Sequence, residues 1–258
     1  MAALAAATFG TEGPPLLLVH GLFGSSRNWT RIARSLARSR RVHALDLPNH
    51  GESPWTESTD YPSMAKALGG YLDEVGFDKV DLIGHSMGGK VAMALALSQP
   101  QRLSRLIVAD IAPVSYDHAN LSYVRTMQAL DLAGVTRRAE ADRALADQIP
   151  DPGVRGFLLQ NLVQGEAGFR WRINLETLGA SMAAIHGFPE ALLTASWDGP
   201  TLFLTGASSD YVQAKDRDRI RDLFPRAAFE EVADAGHWLH AENPAGFLTA
   251  VEAFLATH

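Results

Sequence analysis

Residues 80–95 read Val80-Asp81-Leu82-Ile83-Gly84-His85-Ser86-Met87-Gly88-Gly89-Lys90-Val91-Ala92-Met93-Ala94-Leu95. An apolar run typical of a buried strand ends at a Gly-x-Ser-x-Gly turn, and helical periodicity begins directly after it. A serine at such a junction is held in a strained conformation that exposes its Oγ, and the flanking glycines let strand and helix approach closely. The segment therefore predicts a nucleophile elbow with Ser86 as the nucleophile.

Composition limits the class of protein. With 258 residues, the chain suits one α/β domain with an insertion. Its 23 basic and 29 acidic residues form no long like-charged block, so we expect neither nucleic acid nor an anionic membrane as partner. The chain has no cysteine, which excludes disulfides, thiolate metal sites and a cysteine nucleophile. We expect a cytoplasmic monomer or homodimer without cofactor or metal.

The start of the chain is apolar but lacks a basic region, and it is too short for a signal peptide or a membrane span. We interpret residues 1–9 as a short first strand, and no membrane insertion is expected.

Short apolar runs alternate with amphipathic segments along most of the chain. Strands are predicted at 16–20, 42–47, 80–84, 103–109, 201–205 and 229–232, and helices at 32–37, 64–75, 89–98, 214–223 and 244–256. Such alternation indicates a mostly parallel, doubly wound α/β sheet. Residues 116–197 show helical patterns and no strong strand. We therefore expect a core formed by residues 1–115 and 198–258, with residues 116–197 as a helical cap inserted between strands six and seven.

A serine nucleophile needs a nearby base and a third group that orients the base. His237 follows a predicted strand and precedes the last helix, so it is placed where a base could meet Ser86 at the carboxyl edge of the sheet. His240 and His85 are interpreted as structural. Asp46 and His50 precede the serine, whereas this arrangement runs serine, acid, histidine along the chain, so both are expected to bond within their own turn.

The tetrahedral intermediate needs two backbone N–H donors directed at its oxyanion. Met87, directly after the serine, is expected to supply one. The other is expected from the glycine-rich loop 20–24, most readily from Leu22 and less readily from Phe23.

Two aspartates after the serine are candidates for the orienting acid. Asp210 follows the late strand 201–205, in a loop where an orienting acid is often found, but it stands one residue later than usual, and Ser209 occupies the usual place. Asp110 ends the strand 103–109, which should lie next to the strand of the serine. The residues themselves leave both open.

Several motifs together resemble a known family. They are His20-Gly21-Leu22-Phe23-Gly24-Ser25, Asp46-Leu47-Pro48-Asn49-His50-Gly51-Glu52-Ser53-Pro54, Asp110-Ile111-Ala112-Pro113, Trp171-Arg172-Ile173-Asn174-Leu175 and Gly236-His237-Trp238. With the elbow, they make the chain similar to α/β-hydrolases, and more narrowly to YbfF-like bacterial esterases and their eukaryotic relatives of the abhydrolase domain-containing 11 type. These commonly have two strands before the His-Gly loop, whereas only about fifteen residues precede it here.

The resemblance implies cofactor-free hydrolysis of short-to-medium acyl esters through an acyl-enzyme, with acyl-CoA thioesters left open as a second substrate class. It also implies Asp110 as the acid, assisted by Ser209. Arg170 and Arg172 are candidates for binding CoA phosphates. Perhydrolases and carbon–carbon bond hydrolases use the same triad, and some proteins of this fold only bind ligands, so these remain alternatives. Ser86 argues against dehalogenases and epoxide hydrolases, which use an aspartate at the elbow.

Overall fold

The computed structural model describes residues 3–117, 119–166 and 168–257. The strands are β1 (Ala6–Phe9), β2 (Pro15–Val19), β3 (Arg41–Leu45), β4 (Val80–His85), β5 (Leu103–Ala109), β6 (Leu162–Gly165), β7 (Gly168–Trp171), β8 (Thr201–Gly206) and β9 (Ala227–Val232). The helices are α1 (Thr30–Leu36), α2 (Tyr61–Val75), α3 (Met87–Ser98), α4 (Asn120–Ala129), α5 (Arg138–Leu145), α6 (Pro152–Leu159), α7 (Leu175–Ala180), α8 (Met182–His186), α9 (Arg217–Leu223), α10 (Leu239–Glu242) and α11 (Pro244–Thr257).

Seven strands form the main sheet in the order β1-β3-β2-β4-β5-β8-β9. All neighbouring pairs are parallel except β1 with β3. The central strands are buried on both faces, and this is why β2 and β4 read as continuous rather than alternating apolar runs. One face of the sheet is covered by α1 and α11, and the other by α2, α3 and α9. The predicted doubly wound α/β fold is therefore confirmed.

The first predicted strand is β1, shorter than expected, while residues 1 and 2 lie outside the described residues. Because one strand and not two precedes β2, the insertion leaves the sheet after its fifth strand, β5, and returns at the sixth, β8. The expected position between strands six and seven is thus wrong by one strand.

The inserted segment also contains strands, contrary to the expectation of an all-helical insertion. β6 and β7 form an antiparallel hairpin, in which Leu162 pairs with Trp171 and Gly165 with Gly168. Each strand has four residues, which is too short for alternation to stand out in the sequence. Around the hairpin the segment is helical, with α4 to α8.

No helix among the described residues combines the length and the hydropathy needed to cross a lipid bilayer.

Candidate active site

The elbow is formed at the junction of β4 and α3. Ser86 has φ 53° and ψ −121°, a conformation that residues with side chains rarely adopt. A Cβ built on Gly84 would lie 2.2 Å from the carbonyl oxygen of Gly88, and one on Gly88 would lie 2.5 Å from that of His20. The glycines are therefore required by the close approach of strand, helix and the loop after β2, and the strained turn leaves Ser86 partly exposed.

His237 lies in the loop between β9 and α10, at the carboxyl edge of the sheet. Its Nε2 is 3.0 Å from Ser86 Oγ, and its Nδ1 is 2.7 Å from Asp110 Oδ2. Since a carboxylate only accepts hydrogen bonds, Nδ1 carries the proton and Nε2 accepts from the serine hydroxyl. The structure thus brings Ser86, His237 and Asp110 into one chain of hydrogen bonds.

Asp110 directly follows β5 and is completely buried, with φ 55°. Besides His237, its carboxylate accepts hydrogen bonds from the Gly206 amide at 3.1 Å and from Ser209 Oγ at 2.5 Å. Asp210 is exposed, and its backbone carbonyl accepts a bond from Gln213. Of the two aspartates, the structure therefore joins Asp110 to the histidine, with Ser209 beside it.

The backbone amides expected to face an oxyanion belong to Met87 and to loop 20–24. Met87 is the first residue of α3, so its N–H lacks an intrahelical partner and carries the positive end of the helix dipole. In loop 20–24 the Phe23 amide donates to His50 Nε2 at 3.3 Å, so it is occupied. This leaves Leu22, whose residue lines the cavity beside Ser86, as the better candidate of the two.

His20 supports that loop as a neutral imidazole. Its Nδ1–H donates to the Gly21 carbonyl at 2.8 Å, and its Nε2 accepts from the Leu47 amide at 3.0 Å. Desolvation by burial lowers its pKa below the ordinary value.

The residues interpreted as structural are engaged locally. Asp46 accepts from the amides of Ser26 and Glu52 at 2.6 and 2.8 Å. His50 donates from Nδ1 to the Pro48 carbonyl at 3.0 Å, and burial lowers its pKa to about 3. Neither side chain contributes to the chain of hydrogen bonds at Ser86.

Two further histidines pack beside the site. His85 Nε2 donates to the backbone carbonyl of His237 at 2.7 Å, so a residue of the elbow fixes the loop of the base. His240 is buried with its ring stacked on Trp29, and burial lowers its pKa to about 4. Burial also lowers the pKa of His85 well below its ordinary value.

The sequence analysis missed Tyr211. Its ring stacks on His237 with centroids 3.8 Å apart and planes inclined by 15°. The Tyr116 hydroxyl donates to the Tyr211 carbonyl at 2.5 Å and accepts from the Ala112 amide at 2.8 Å, so it joins the loops after β5 and β8. Tyr116 follows the Asp-Ile-Ala-Pro motif and could have been singled out, whereas nothing in the sequence marks Tyr211.

Ser86 opens into a cavity of about 560 Å³. Its apolar and aromatic walls include Leu22, Tyr123, Val154, Phe157, Leu158 and Trp238. Among the described residues, Glu242 is the one carboxylate on the wall, and no lysine or arginine lines the cavity. Arg172, a candidate for CoA phosphates, is instead buried and paired with Glu52 at 3.1 Å, while Arg170 is exposed on β7.

Within the part of the chain that the structure describes, no group of three or more His, Asp or Glu side chains is arranged to hold a metal ion.

Comparison with known proteins agrees with this geometry. A family model of the alpha/beta hydrolase fold matches residues 14–244. The chain is 39% identical over 251 residues to the sn-1-specific diacylglycerol lipase ABHD11 of Mus musculus, covering 94% of this chain and 81% of that protein. It is 37% identical over 242 residues to the esterase YbfF of Escherichia coli K12, covering 93% and 92% of the two chains.

Among solved structures, one described as a marine microorganism esterase superposes with a TM-score of 0.94 at 35% identity, covering 98% of this chain and 99% of the other. The resemblance drawn from the motifs is therefore confirmed. The chain belongs to the α/β-hydrolase family and is a carboxylic ester hydrolase.

Proposed function

We propose that the protein is a serine esterase that hydrolyses neutral esters of short-to-medium acyl chains through an acyl-enzyme. Ser86 is the nucleophile, His237 the general base and acid, and Asp110 the orienting acid, supported by Ser209. The observation that carries the proposal is the unbroken chain from Ser86 Oγ through His237 to Asp110, at 3.0 and 2.7 Å, opening into a largely apolar cavity.

The reaction follows from these positions. Ser86 Oγ attacks the ester carbonyl carbon while its proton passes to His237 Nε2. The carbonyl oxygen becomes an oxyanion that the Leu22 and Met87 amides stabilise. The carbon–oxygen bond to the alcohol then breaks, and His237 gives its proton to the departing oxygen. Water, deprotonated by the same imidazole, cleaves the acyl-enzyme and restores Ser86.

The electrostatics of the cavity favour neutral esters over acyl-CoA thioesters. CoA carries phosphates, which proteins bind with lysine, arginine or exposed helix N-termini. No cationic side chain lines the large cavity among the described residues, and Glu242 would repel an anion at its wall. Arg172 is held by Glu52 and cannot serve without breaking that pair.

We further propose that residues 116–197 act as a cap over the core formed by residues 1–115 and 198–258. The support is that Val154, Phe157 and Leu158, all from this segment, contribute to the wall of the cavity that Ser86 opens into.

Rapid-mixing kinetics with p-nitrophenyl acetate test the acyl-enzyme. A burst of p-nitrophenol equal to the enzyme concentration is expected. Ser86→Ala should abolish the burst and lower turnover roughly 10³- to 10⁶-fold, because the triad acts as a unit and only the oxyanion hole remains. A Ser86→Ala variant that keeps a tenth of the rate, or folded wild-type protein that a fluorophosphonate leaves unlabelled, would contradict the proposal.

A further inference from the structure

Ser86 opens onto two cavities of very different size. The large one has about 560 Å³, within the usual range for small-molecule sites, and the second has only about 30 Å³. A cavity needs roughly 10–15 Å³ of such space to hold one water molecule, so the small cavity has room for about two groups of that size. An ester at Ser86 can therefore place a large group on one side only.

The two cavities are lined by different residues of the site. His237 and Trp238 line the large cavity and not the small one, whereas Met87 and Ile185 line the small cavity and not the large one. Ser86 is shared by both. The base thus lies on the side of the large cavity.

The direction of proton transfer decides how an ester is oriented. His237 Nε2 must deliver its proton to the alcohol oxygen as the carbon–oxygen bond breaks, so the alcohol lies on the side of His237. The acyl chain extends from the carbonyl carbon in the other direction. We propose that the small cavity is the acyl site and admits an acetyl-sized group, and that the large cavity binds a bulky apolar alcohol.

The preferred substrates are therefore acetate esters of large apolar alcohols. This assignment rests on the proposed esterase function and narrows its substrate class.

The small cavity is held at its size by two buried donors from the core. The Tyr61 hydroxyl, on α2, donates to the Ile185 carbonyl at 2.5 Å. Lys90, on α3, donates from Nζ to the carbonyls of His186 and Gly187 at 2.8 and 2.6 Å. Since moving Ile185 outward would break these buried hydrogen bonds, a longer acyl chain cannot make room at low cost.

The large cavity suits the alcohol because its walls are mainly apolar and, among the described residues, include no lysine or arginine. Val154, Phe157 and Leu158 from α6 line it together with Trp238 from the loop after β9, and the ring centroids of Phe157 and Trp238 lie 5.8 Å apart. Each methylene added to the alcohol should raise kcat/KM roughly two- to fourfold until the cavity is full, since it is buried there from water.

Two isomers test the orientation without a difference in composition. Hexyl acetate and ethyl hexanoate have the same formula, so they differ only in which side of the carbonyl is long. Hydrolysis is measured by pH-stat titration of the released acid. We expect kcat/KM for hexyl acetate to exceed that for ethyl hexanoate by at least tenfold. Equal values, or a preference for ethyl hexanoate, overturn the assignment while leaving the esterase function intact.

If neither ester is hydrolysed and Ser86 is not labelled by a fluorophosphonate, the esterase function itself fails, and the assignment fails with it.

Substitutions in the two cavities test which cavity binds the acyl group. Ile185→Ala enlarges the small cavity and should raise the ratio of ethyl hexanoate to hexyl acetate activity at least fivefold. Ile149→Ala is the matched control, because Ile149 is also a buried isoleucine of the inserted segment but lines neither cavity. Val154→Trp fills the large cavity and should lower activity on hexyl acetate at least fivefold more than activity on ethyl acetate. A ratio that Ile185→Ala leaves unchanged, or that Ile149→Ala changes equally, refutes the small cavity as the acyl site.

Discussion

Asp110→Asn is the substitution that most directly tests how the base is oriented. The carboxylate presents Oδ2 to His237 Nδ1 and Ser209 Oγ, and Oδ1 to the Gly206 amide. An asparagine carries one oxygen and one NH₂ group, so it can satisfy only one of these two sides as an acceptor.

If the amide oxygen faces Gly206, the NH₂ group faces His237 and stabilises the tautomer protonated on Nε2. That nitrogen then cannot accept the proton of Ser86. In the other orientation the NH₂ group meets the Gly206 N–H, which leaves a buried donor unpaired at a cost of about 1–3 kcal/mol. The first orientation is therefore favoured, and the wrong tautomer should lower kcat about 10⁴-fold, equivalent to about 5 kcal/mol of activation free energy.

The assay is steady-state hydrolysis of p-nitrophenyl acetate, with thermal unfolding measured in parallel. KM and the melting temperature should change little, because the side chain keeps its shape. Asp210→Asn is the matched control in the neighbouring loop and should stay within twofold of wild type. A near-normal rate for Asp110→Asn together with a collapse for Asp210→Asn would refute the assignment of the acid.

Further predictions concern the support of the site and the stability of the fold. Ser209→Ala removes one of the hydrogen bonds to the Asp110 carboxylate and should lower kcat about tenfold at unchanged KM; a loss as large as that of Asp110→Asn would contradict a supporting role. Lys90→Met leaves three partly buried backbone carbonyls without this donor and should lower the free energy of unfolding by about 1–3 kcal/mol in urea titrations; an unchanged free energy would show that water replaces the ammonium. His50 and His240 have pKa values lowered by burial from 6.5 to about 3 and about 4, so below pH 6.5 the unfolded chain binds protons that the folded chain does not. Each should therefore remove about 2 kcal/mol of stability between pH 7 and pH 5, and equal urea midpoints at the two pH values would refute this.

Much of the fold and part of the site could be predicted because their signals are local. The strand before Ser86 and the helix after it are formed by consecutive residues, and glycine is required at 84 and 88 because a Cβ there would lie only 2.2 and 2.5 Å from backbone carbonyl oxygens. His237, which the structure places beside Ser86, could be proposed as the base because it follows a strand and precedes the last helix. Each of these positions depends on its immediate neighbours in the chain.

The parts that the residues alone left open depend on which loops meet in space. Asp110 rather than Asp210 contacts His237 because β5 pairs with β8, which places Gly206 and Ser209 beside the end of β5. The stacking of Tyr211 on His237 joins two loops that are remote in sequence and has no periodicity to reveal it. The hairpin of β6 and β7 was missed because four-residue strands are too short to show alternation.

The path of the chain at β5 and β8 has a consequence for how such a protein could be altered. The insertion leaves the sheet at the end of β5 and returns to the strand that pairs directly with it, so its removal or exchange would change no strand order. Asp110 precedes the inserted segment in the chain, and Ser209 and His237 follow it. The residues assigned to bond breaking therefore lie outside the inserted segment, whereas part of the walls assigned to substrate choice, including Val154, Phe157 and Ile185, lies within it. A foreign segment of suitable length, grafted between these two strands, should give a new substrate range while the hydrogen-bonded chain at Ser86 keeps its geometry.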